Sequence, residues 1–237
     1  MVSALTGATV HTVGEARCDA PNLIAAGSIA HWADADSVLW GCGLINDWIA
    51  SPEPPRHVLA LRGRLTRDIL ARRGVACGHV LGDPALLLPE FYPASPRSGA
   101  VGIVPHYVDR GSEFVGRCAA EGLRILDVAD SVETFIATLT GCERVLSSSL
   151  HGIIIAHAYG IPAAWVEISG AVHGDGFKFF DYYSSAGIPR AAVARLRPDR
   201  ESLAVMASAC SVPHDLPDRT VLREVLVAAA DSLEVAA

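Results

Sequence analysis

A serine-rich turn that contains a histidine is the part of the sequence best suited to chemistry. The run Ser147–Gly152 lies between the apolar pair Val145–Leu146 and the apolar run Ile153–Ala156, which is typical of a strand followed directly by a helix. Hydroxyl groups there can cap the first helical turn, and the positive end of the helix attracts anions. His151 adds a group that titrates near neutral pH. The segment predicts an anion site with a proton donor; the alternative is an ordinary helix cap beside a polar histidine.

Two further basic side chains follow apolar segments. Arg62 comes after Val58–Leu61 and before Gly63. A guanidinium at a strand end, beside a glycine that lets a ligand approach the backbone, suits a carboxylate or a phosphate. The alternative is a surface arginine paired with an acid such as Asp83, which we otherwise expect to cap a turn. His106 follows another predicted strand, and it is either a ligand of the same site or a structural histidine.

An aromatic segment near residue 180 carries one lysine and one aspartate. It reads Phe177-Lys178-Phe179-Phe180-Asp181-Tyr182-Tyr183. Its aromatic rings could pack on a sugar face while Lys178 holds an anion. Alternatively, the rings anchor a folded loop and Lys178 pairs with Asp181 at its rim.

The elements that position these residues alternate between short apolar segments and helical patterns. This alternation favours an α/β architecture with mostly parallel strands. Strands are predicted near residues 23–26, 37–40, 57–62, 79–80, 100–105, 123–126, 144–147 and 163–167. Helices are predicted over residues 65–73, 131–139 and 150–159, and the tail from residue 213 onward has a helical pattern.

A proline-rich stretch over residues 89–99 interrupts the alternation and is interpreted as a linker. It divides the chain into an N-terminal α/β domain over residues 1–95 and a C-terminal α/β domain over residues 96–237. Two such units joined by a linker would form a cleft. Ligands of open α/β sheets bind beyond the carboxyl ends of the strands, so the predicted site residues are expected at such an edge.

Composition excludes several classes of function. The 237 residues are 51% hydrophobic and 19% charged, which describes a globular protein, and the net charge of −7 argues against broad nucleic-acid binding. The cysteines contain no C-x-x-C pair; they are expected to be reduced thiols with no metal site. They are Cys18, Cys42, Cys77, Cys118, Cys142 and Cys210. The start of the chain has no secretory signal pattern, and no apolar run could span a bilayer, so we expect a cytoplasmic protein.

The order and spacing of several short segments are more specific than any one of them. These segments are Ala26–Ser28, Trp40–Gly43, Arg62–Gly63 with Thr66, Gly82–Pro84, Val104–His106, Ser147–Gly152 with Ala158–Pro162, and Phe177–Lys178 with Asp181–Tyr183. Together they resemble the polysaccharide pyruvyltransferase family, most closely its xanthan-type, ketal-forming branch. The resemblance extends from about Leu23 to Tyr183.

This resemblance implies a fold, substrates and roles for individual residues. The fold would be GT-B-like, with two Rossmann-type domains and a cleft between them. The donor would be phosphoenolpyruvate, the acceptor a sugar of a lipid-linked repeat unit, and neither a cofactor nor a metal would be needed. A lipid-linked acceptor would bring the protein to the inner membrane surface. His151 would be the acid/base group; the substrate-binding residues would be Arg62, Ser147, Ser148, Ser149, Gly152, His106 and Lys178.

The sequence departs from the family pattern in two places. In many members an arginine immediately precedes the Leu-His pair, and here that position is Ser149. The anion would then depend on Arg62, Lys178 and backbone N–H groups. Relatives usually begin with an Asn-x-Gly-Asp type segment that nothing before Val2–Leu5 matches, so a shortened N-terminal domain is expected. The alternative functions are a nucleotide-sugar glycosyltransferase of the same fold and a non-catalytic glycan-binding relative.

Overall fold

The apolar segments predicted as strands form two sheets in the computed structural model, which describes residues 1–7, 21–49 and 53–234. The strands are β1 (Asn22–Ala25), β2 (Ser37–Trp40), β3 (His57–Ala60), β4 (Ala100–Val104), β5 (Arg124–Ile125), β6 (Cys142–Ser147) and β7 (Ala163–Trp165). The first sheet has the order β1-β2-β3 and the second the order β5-β4-β6-β7. Every pair is parallel. The predicted α/β class with parallel strands is therefore confirmed.

The helices predicted over residues 65–73, 131–139 and 150–159 begin and end within one residue of those bounds. The tail, predicted to be helical from residue 213, is helical only from Arg219, and the structure adds other helices. The helices are α1 (Val2–Thr6), α2 (Arg64–Arg72), α3 (Glu113–Ala120), α4 (Val132–Thr140), α5 (Leu150–Ala158), α6 (Phe177–Ser185), α7 (Leu203–Ser208) and α8 (Arg219–Glu234). The segment near residues 79–80 was predicted as a strand, but it forms only an isolated bridge between Leu61 and Leu81. The aromatic segment Phe177–Tyr183, which one interpretation treated as a folded loop, lies entirely within the helix α6.

The chain divides into two units whose boundaries differ from the predicted ones. The first unit comprises the described residues of Met1–Pro84, Phe180–Ile188 and Asp215–Ala237, and the second comprises Ala85–Phe179 and Pro189–His214. The expected boundary at residues 95 and 96 therefore lies inside the second unit. The tail belongs to the first unit, where the Nε1 of Trp40 donates a hydrogen bond to the Leu222 carbonyl oxygen at 2.8 Å.

The core of the second unit lies on its four-stranded sheet. Continuous apolar strands are expected where both faces of a parallel sheet are covered. The buried residues that form this core are Ile103, Phe114, Cys118, Leu146, Ala164, Val166 and Met206. Among the residues that the structure describes, no helix is both long enough and apolar enough to cross a bilayer.

Candidate functional site

The carboxyl ends of β4 and β6 meet at one edge of the second unit's sheet. The two strands are neighbours, and Val104 is the register partner of Ser147. Just past these positions, the backbone N–H of His106 donates a hydrogen bond to the Oγ of Ser148 at 2.8 Å. The structure thus brings His106 together with the turn that leads into α5, as expected for residues at the ends of adjacent parallel strands.

The serine hydroxyls mostly hold the turn itself. Ser147 and Ser148 are buried. The Oγ of Ser147 accepts the Ser149 N–H at 3.0 Å and lies 2.7 Å from the Ser149 carbonyl oxygen, to which it can donate. Ser149 is the N-cap of α5, but its side chain makes no capping hydrogen bond. The expectation that three hydroxyls cap the helix is wrong, because two of them bind the strand and turn backbones and the third does not cap.

Gly152 allows α5 to pack closely on the sheet. A Cβ atom at this position would lie 2.5 Å from the Oγ of Ser147 and 2.9 Å from the Cβ of Val104. Real Cβ atoms do not approach other atoms so closely, so any side chain would displace the helix or the turn. The structure therefore gives Gly152 a packing role; its predicted contact with substrate stays a prediction.

His151 lies in the first turn of α5, at the positive end of the helix. Its side chain is half-buried, and its Nε2 atom is buried. A histidine so placed can exchange a proton with an anion bound at the helix terminus.

His106 is a second half-buried imidazole at this edge. Burial lowers its pKa, the positive charge of Lys178 lowers the pKa further, and the carboxylate of Asp109 opposes both effects. Its ring also contacts the ring of Tyr107, with centroids 4.3 Å apart. Tyr107 is 67% exposed, and the sequence interpretation did not single it out.

Lys178 lies in the first turn of α6 and is buried. Its Nζ lies 5.7 Å from the ring centroid of Phe179, and Phe179 stacks on Trp165 with centroids 4.3 Å apart. The aromatic residues are therefore core anchors in a helix. The alternative in which Lys178 pairs with Asp181 at the rim of a loop is wrong, because both side chains are buried and the Asp181 carboxylate binds Arg62.

Arg62 occupies a different environment, inside the first unit. Its side chain is fully buried, and its Nε donates to the Oδ2 of Asp181 at 2.9 Å. The other nitrogens donate to the Ser28 Oγ and to the Leu44 carbonyl oxygen, each at 2.7 Å. The alternative of a surface pair with Asp83 is replaced by a buried pair with Asp181. The interpretation of Arg62 as a ligand-binding guanidinium did not include this partner.

Asp181 also organises the start of α2. Gly63 is the N-cap of that helix and has no side chain to cap it. Instead, Asp181 accepts the Thr66 N–H at 2.8 Å and the Thr66 hydroxyl at 2.7 Å. A Cβ on Gly63 would lie 1.8 Å from the Asp181 carbonyl oxygen, so the glycine permits this close approach. The sequence singled out these residues separately, and the structure joins them.

The described residues give little support for a metal site or for a reactive thiol at Cys42 or Cys118. No group of three or more His, Cys, Asp or Glu side chains there could hold a metal ion. Burial raises the pKa of the Cys42 thiol to about 12, and it raises that of Cys118 to about 11. These thiols stay protonated at neutral pH and are poor nucleophiles. Cys18 lies outside the described residues.

Comparison with known proteins points to one family. Residues 54–170 match the family model described as polysaccharide pyruvyl transferase. The chain is 33% identical over 184 residues to the uncharacterized protein L143 of Acanthamoeba polyphaga mimivirus. It is 28% identical over 135 residues to the succinoglycan biosynthesis protein ExoV of Rhizobium meliloti (strain 1021).

These matches cover only part of each relative. The L143 alignment spans 72% of this chain and 62% of the viral protein. The ExoV alignment spans 55% of this chain and 41% of the bacterial protein. No solved structure is significantly similar to the chain. The matched family segment contains Arg62, His106 and the whole Ser147–Gly152 turn.

Proposed function

We propose that this chain, which belongs to the polysaccharide pyruvyltransferase family by its residues 54–170, moves the enolpyruvyl group of phosphoenolpyruvate to a sugar of a polysaccharide repeat unit or glycolipid as a ketal. The observation that carries the proposal is the bond from the His106 N–H to Ser148. It brings the backbone of His106 to the turn that leads into the helix carrying His151, and both histidine side chains are half-buried. Such a site can bind an anion and move protons.

The donor anion binds at the start of α5. The backbone N–H groups of the first turn and the positive helix end attract a phosphate or carboxylate, and Ser149 leaves its hydroxyl free of any capping bond. Lys178 supplies positive charge on the same unit. We propose that these groups compensate for the arginine that many family members have at position 149.

The reaction requires three proton movements, one at carbon and two at oxygen. His151 donates a proton to the methylene carbon of phosphoenolpyruvate, which makes C2 electrophilic. One sugar hydroxyl then attacks C2, and its proton goes to a base. A second hydroxyl of the same sugar displaces phosphate, which leaves with the remaining proton as inorganic phosphate. Groups fixed by the fold can stabilise the charge that develops at C2 and on the phosphate.

Arg62 can act in two ways, by contacting the donor directly or by positioning neighbouring segments. Direct contact with the donor stays a prediction. The bonds to Asp181, Ser28 and Leu44 favour a positioning task, in which Arg62 fixes the end of β3 and the start of α2. The donor site of the second unit then relies on Lys178 and on backbone N–H groups for its positive charge.

The acceptor and its location follow from the same proposal. ExoV is named as a protein of succinoglycan biosynthesis, which supports a polysaccharide repeat unit as acceptor. If the acceptor is lipid-linked, the protein works in the cytoplasm at the inner membrane surface. A GT-B-like pair of Rossmann-type domains, with the acceptor held by the first unit, completes the proposal.

The test is phosphate release from phosphoenolpyruvate across a panel of oligosaccharide and lipid-linked repeat-unit acceptors. We expect release with at least one acceptor, together with a product heavier by one ketal pyruvate. Thermal-shift titrations run in parallel with phosphoenolpyruvate and with nucleotide sugars. Stabilisation by a nucleotide sugar alone would instead favour a glycosyltransferase. Phosphoenolpyruvate binding without release for any acceptor would favour a glycan-binding relative.

A further inference from the structure

A buried carboxylate adjoins the proposed site, and the sequence interpretation did not identify it. Asp109 is fully buried, in the loop that follows β4. Its Oδ1 accepts a hydrogen bond from the Oγ of Ser169. Its Oδ2 is buried with no hydrogen-bond partner among the described residues. A buried carboxylate is costly unless nearby groups compensate its charge. The groups around Asp109 therefore decide whether its charge is tolerated.

The bond between Asp109 and Ser169 joins two loops that flank the helix-start turn. In the sheet, β6 lies between β4 and β7. Asp109 follows β4 and Ser169 follows β7, while the Ser147–Gly152 turn follows β6. The bond therefore links the two loops on either side of the turn.

Further hydrogen bonds hold both loops near this link. The Asp109 N–H donates to the His106 carbonyl oxygen at 2.8 Å, and the Ser112 N–H donates to the Asp109 carbonyl oxygen at 3.0 Å. On the other side, the Ala171 N–H donates to the Ser169 Oγ at 3.2 Å. Asp109 is thus fixed three residues after His106, in the same turn.

Two charged groups of the described chain act on the His106 imidazole. Lys178, from α6, favours the neutral ring, as does burial; Asp109, from the loop of His106 itself, favours the protonated ring. Of these influences the Asp109 carboxylate is the one that favours protonation, while the pKa of His106 is lowered overall by burial and by Lys178.

We infer that Asp109 is a positioning residue of the transfer site: its buried carboxylate fixes the His106 loop and stabilises the imidazolium that forms when His106 takes the proton of the acceptor hydroxyl. This step rests on the proposed function. The electron pair of the O–H bond forms the new C–O bond at C2 of the donor, and the proton moves to the imidazole. Exchange with water then returns His106 to its neutral form while His151 regains its proton.

The test measures His106 directly and does not need turnover. The imidazole is titrated by NMR in the unaltered protein and in the Asp109→Asn variant, with Asp199→Asn as the exposed control in the same unit. The Asn variant keeps an acceptor for Ser169 and removes the charge. We expect the pKa of His106 to fall by about 0.5 to 1 unit in Asp109→Asn, and to stay unchanged in the control. Lys178→Met is expected to shift it in the opposite direction.

Activity supplies the second readout. With an acceptor that supports turnover, Asp109→Asn is expected to lower kcat by at least about tenfold while the KM for phosphoenolpyruvate changes less than about threefold. Asp109→Ser, smaller and also neutral, serves if the Asn variant does not fold. An unchanged or raised His106 pKa in a folded, neutral variant overturns the inference, whatever the activity. The predicted pKa shift in a protein that never turns over phosphoenolpyruvate contradicts the proposed function instead.

Discussion

Arg62 and Asp181 lie 119 residues apart in the chain and form a buried ion pair, with Nη2 and Oδ2 separated by 2.9 Å. The pair is the centre of a closed set of hydrogen bonds. The Leu44 N–H donates to the Thr66 Oγ1 at 3.0 Å, and the Thr66 hydroxyl donates to Asp181. Arg62 completes the set by donating to the Leu44 carbonyl oxygen. This long-range contact therefore links the segment after β3, the first turn of α2 and Asp181 of α6 within the first unit.

Removing one member of this pair should strongly destabilise the first unit. We expect Arg62→Met or Asp181→Asn to lower the free energy of unfolding by about 3 to 5 kcal/mol, because the remaining partner is left buried without compensation. Urea unfolding measures the change. The control is Arg67→Ala, which removes an ion pair to Asp68 on the surface of α2 and should cost less than about 1 kcal/mol. Equal small effects at both positions would contradict this account of the pair.

Two helical glycines of the second unit should respond in opposite ways to alanine. Gly152→Ala introduces a Cβ 2.5 Å from the Ser147 Oγ, so we expect a loss of at least about 1 to 3 kcal/mol of stability and weaker binding of phosphoenolpyruvate. Gly116→Ala, in α3, meets nothing within 4 Å. It should stabilise the protein by about 0.5 to 1 kcal/mol. Thermal unfolding compares them, and destabilisation at residue 116 alone would refute the packing argument.

The N-cap serines allow ligand binding to be separated from helix capping. Ser112 and Ser131 accept backbone N–H groups of α3 and α4, so alanine at either position should cost about 1 kcal/mol. Ser149→Ala should cost clearly less, because the Ser149 side chain makes no capping bond. We expect it instead to weaken phosphoenolpyruvate binding in a calorimetric titration. A stability loss as large as that of Ser131→Ala, with unchanged affinity, would assign Ser149 to capping.

His157 should make stability fall in mild acid. Burial lowers its pKa to about 4, whereas the unfolded chain has a value near 6.5. The unfolded state therefore binds more protons below pH 6.5, and stability is lost as the pH falls from there toward 4. The contribution lost by pH 5 is about 2 kcal/mol.

The measurement is urea unfolding at pH 7 and pH 5 for the unaltered protein and for His157→Gln. The variant should be less stable at pH 7, because the bond between the ring and the Ser211 carbonyl oxygen at 3.0 Å is lost. It should also show a smaller drop between the two pH values. The exposed His173, changed to Gln, is the control and should keep the full drop. An undiminished drop in His157→Gln would show that another group is responsible.

The local parts of the fold could be predicted from the sequence because they depend on neighbouring residues. The strand, turn and helix around Ser147–Gly152 follow from an apolar run, polar turn residues and a second apolar run. The meeting of His106 with that turn follows from parallel strand order. Long-range partners could not be predicted in this way. Nothing in the sequence near Arg62 or Trp40 indicates Asp181 or Leu222 as a partner, because both contacts form only after the chain has folded.

Burial explains the remaining differences. Asp109 is three residues from His106 and resembles a polar loop residue in the sequence, yet it is fully buried. Lys178 and Asp181 suggested a charged rim, but both are covered in the folded protein. The sequence identifies which residues carry charge, whereas the fold decides which of those charges lose water and therefore need partners.

The central claim is that His151 protonates the methylene carbon of phosphoenolpyruvate during transfer to a sugar. The most direct measurement is turnover in D₂O, with the product analysed by mass spectrometry and NMR. The account predicts one deuterium in the methyl group of the ketal, and a loss of turnover of at least about 100-fold in His151→Ala with phosphoenolpyruvate still bound. Near-normal turnover in His151→Ala, or a methyl group without deuterium, would contradict it.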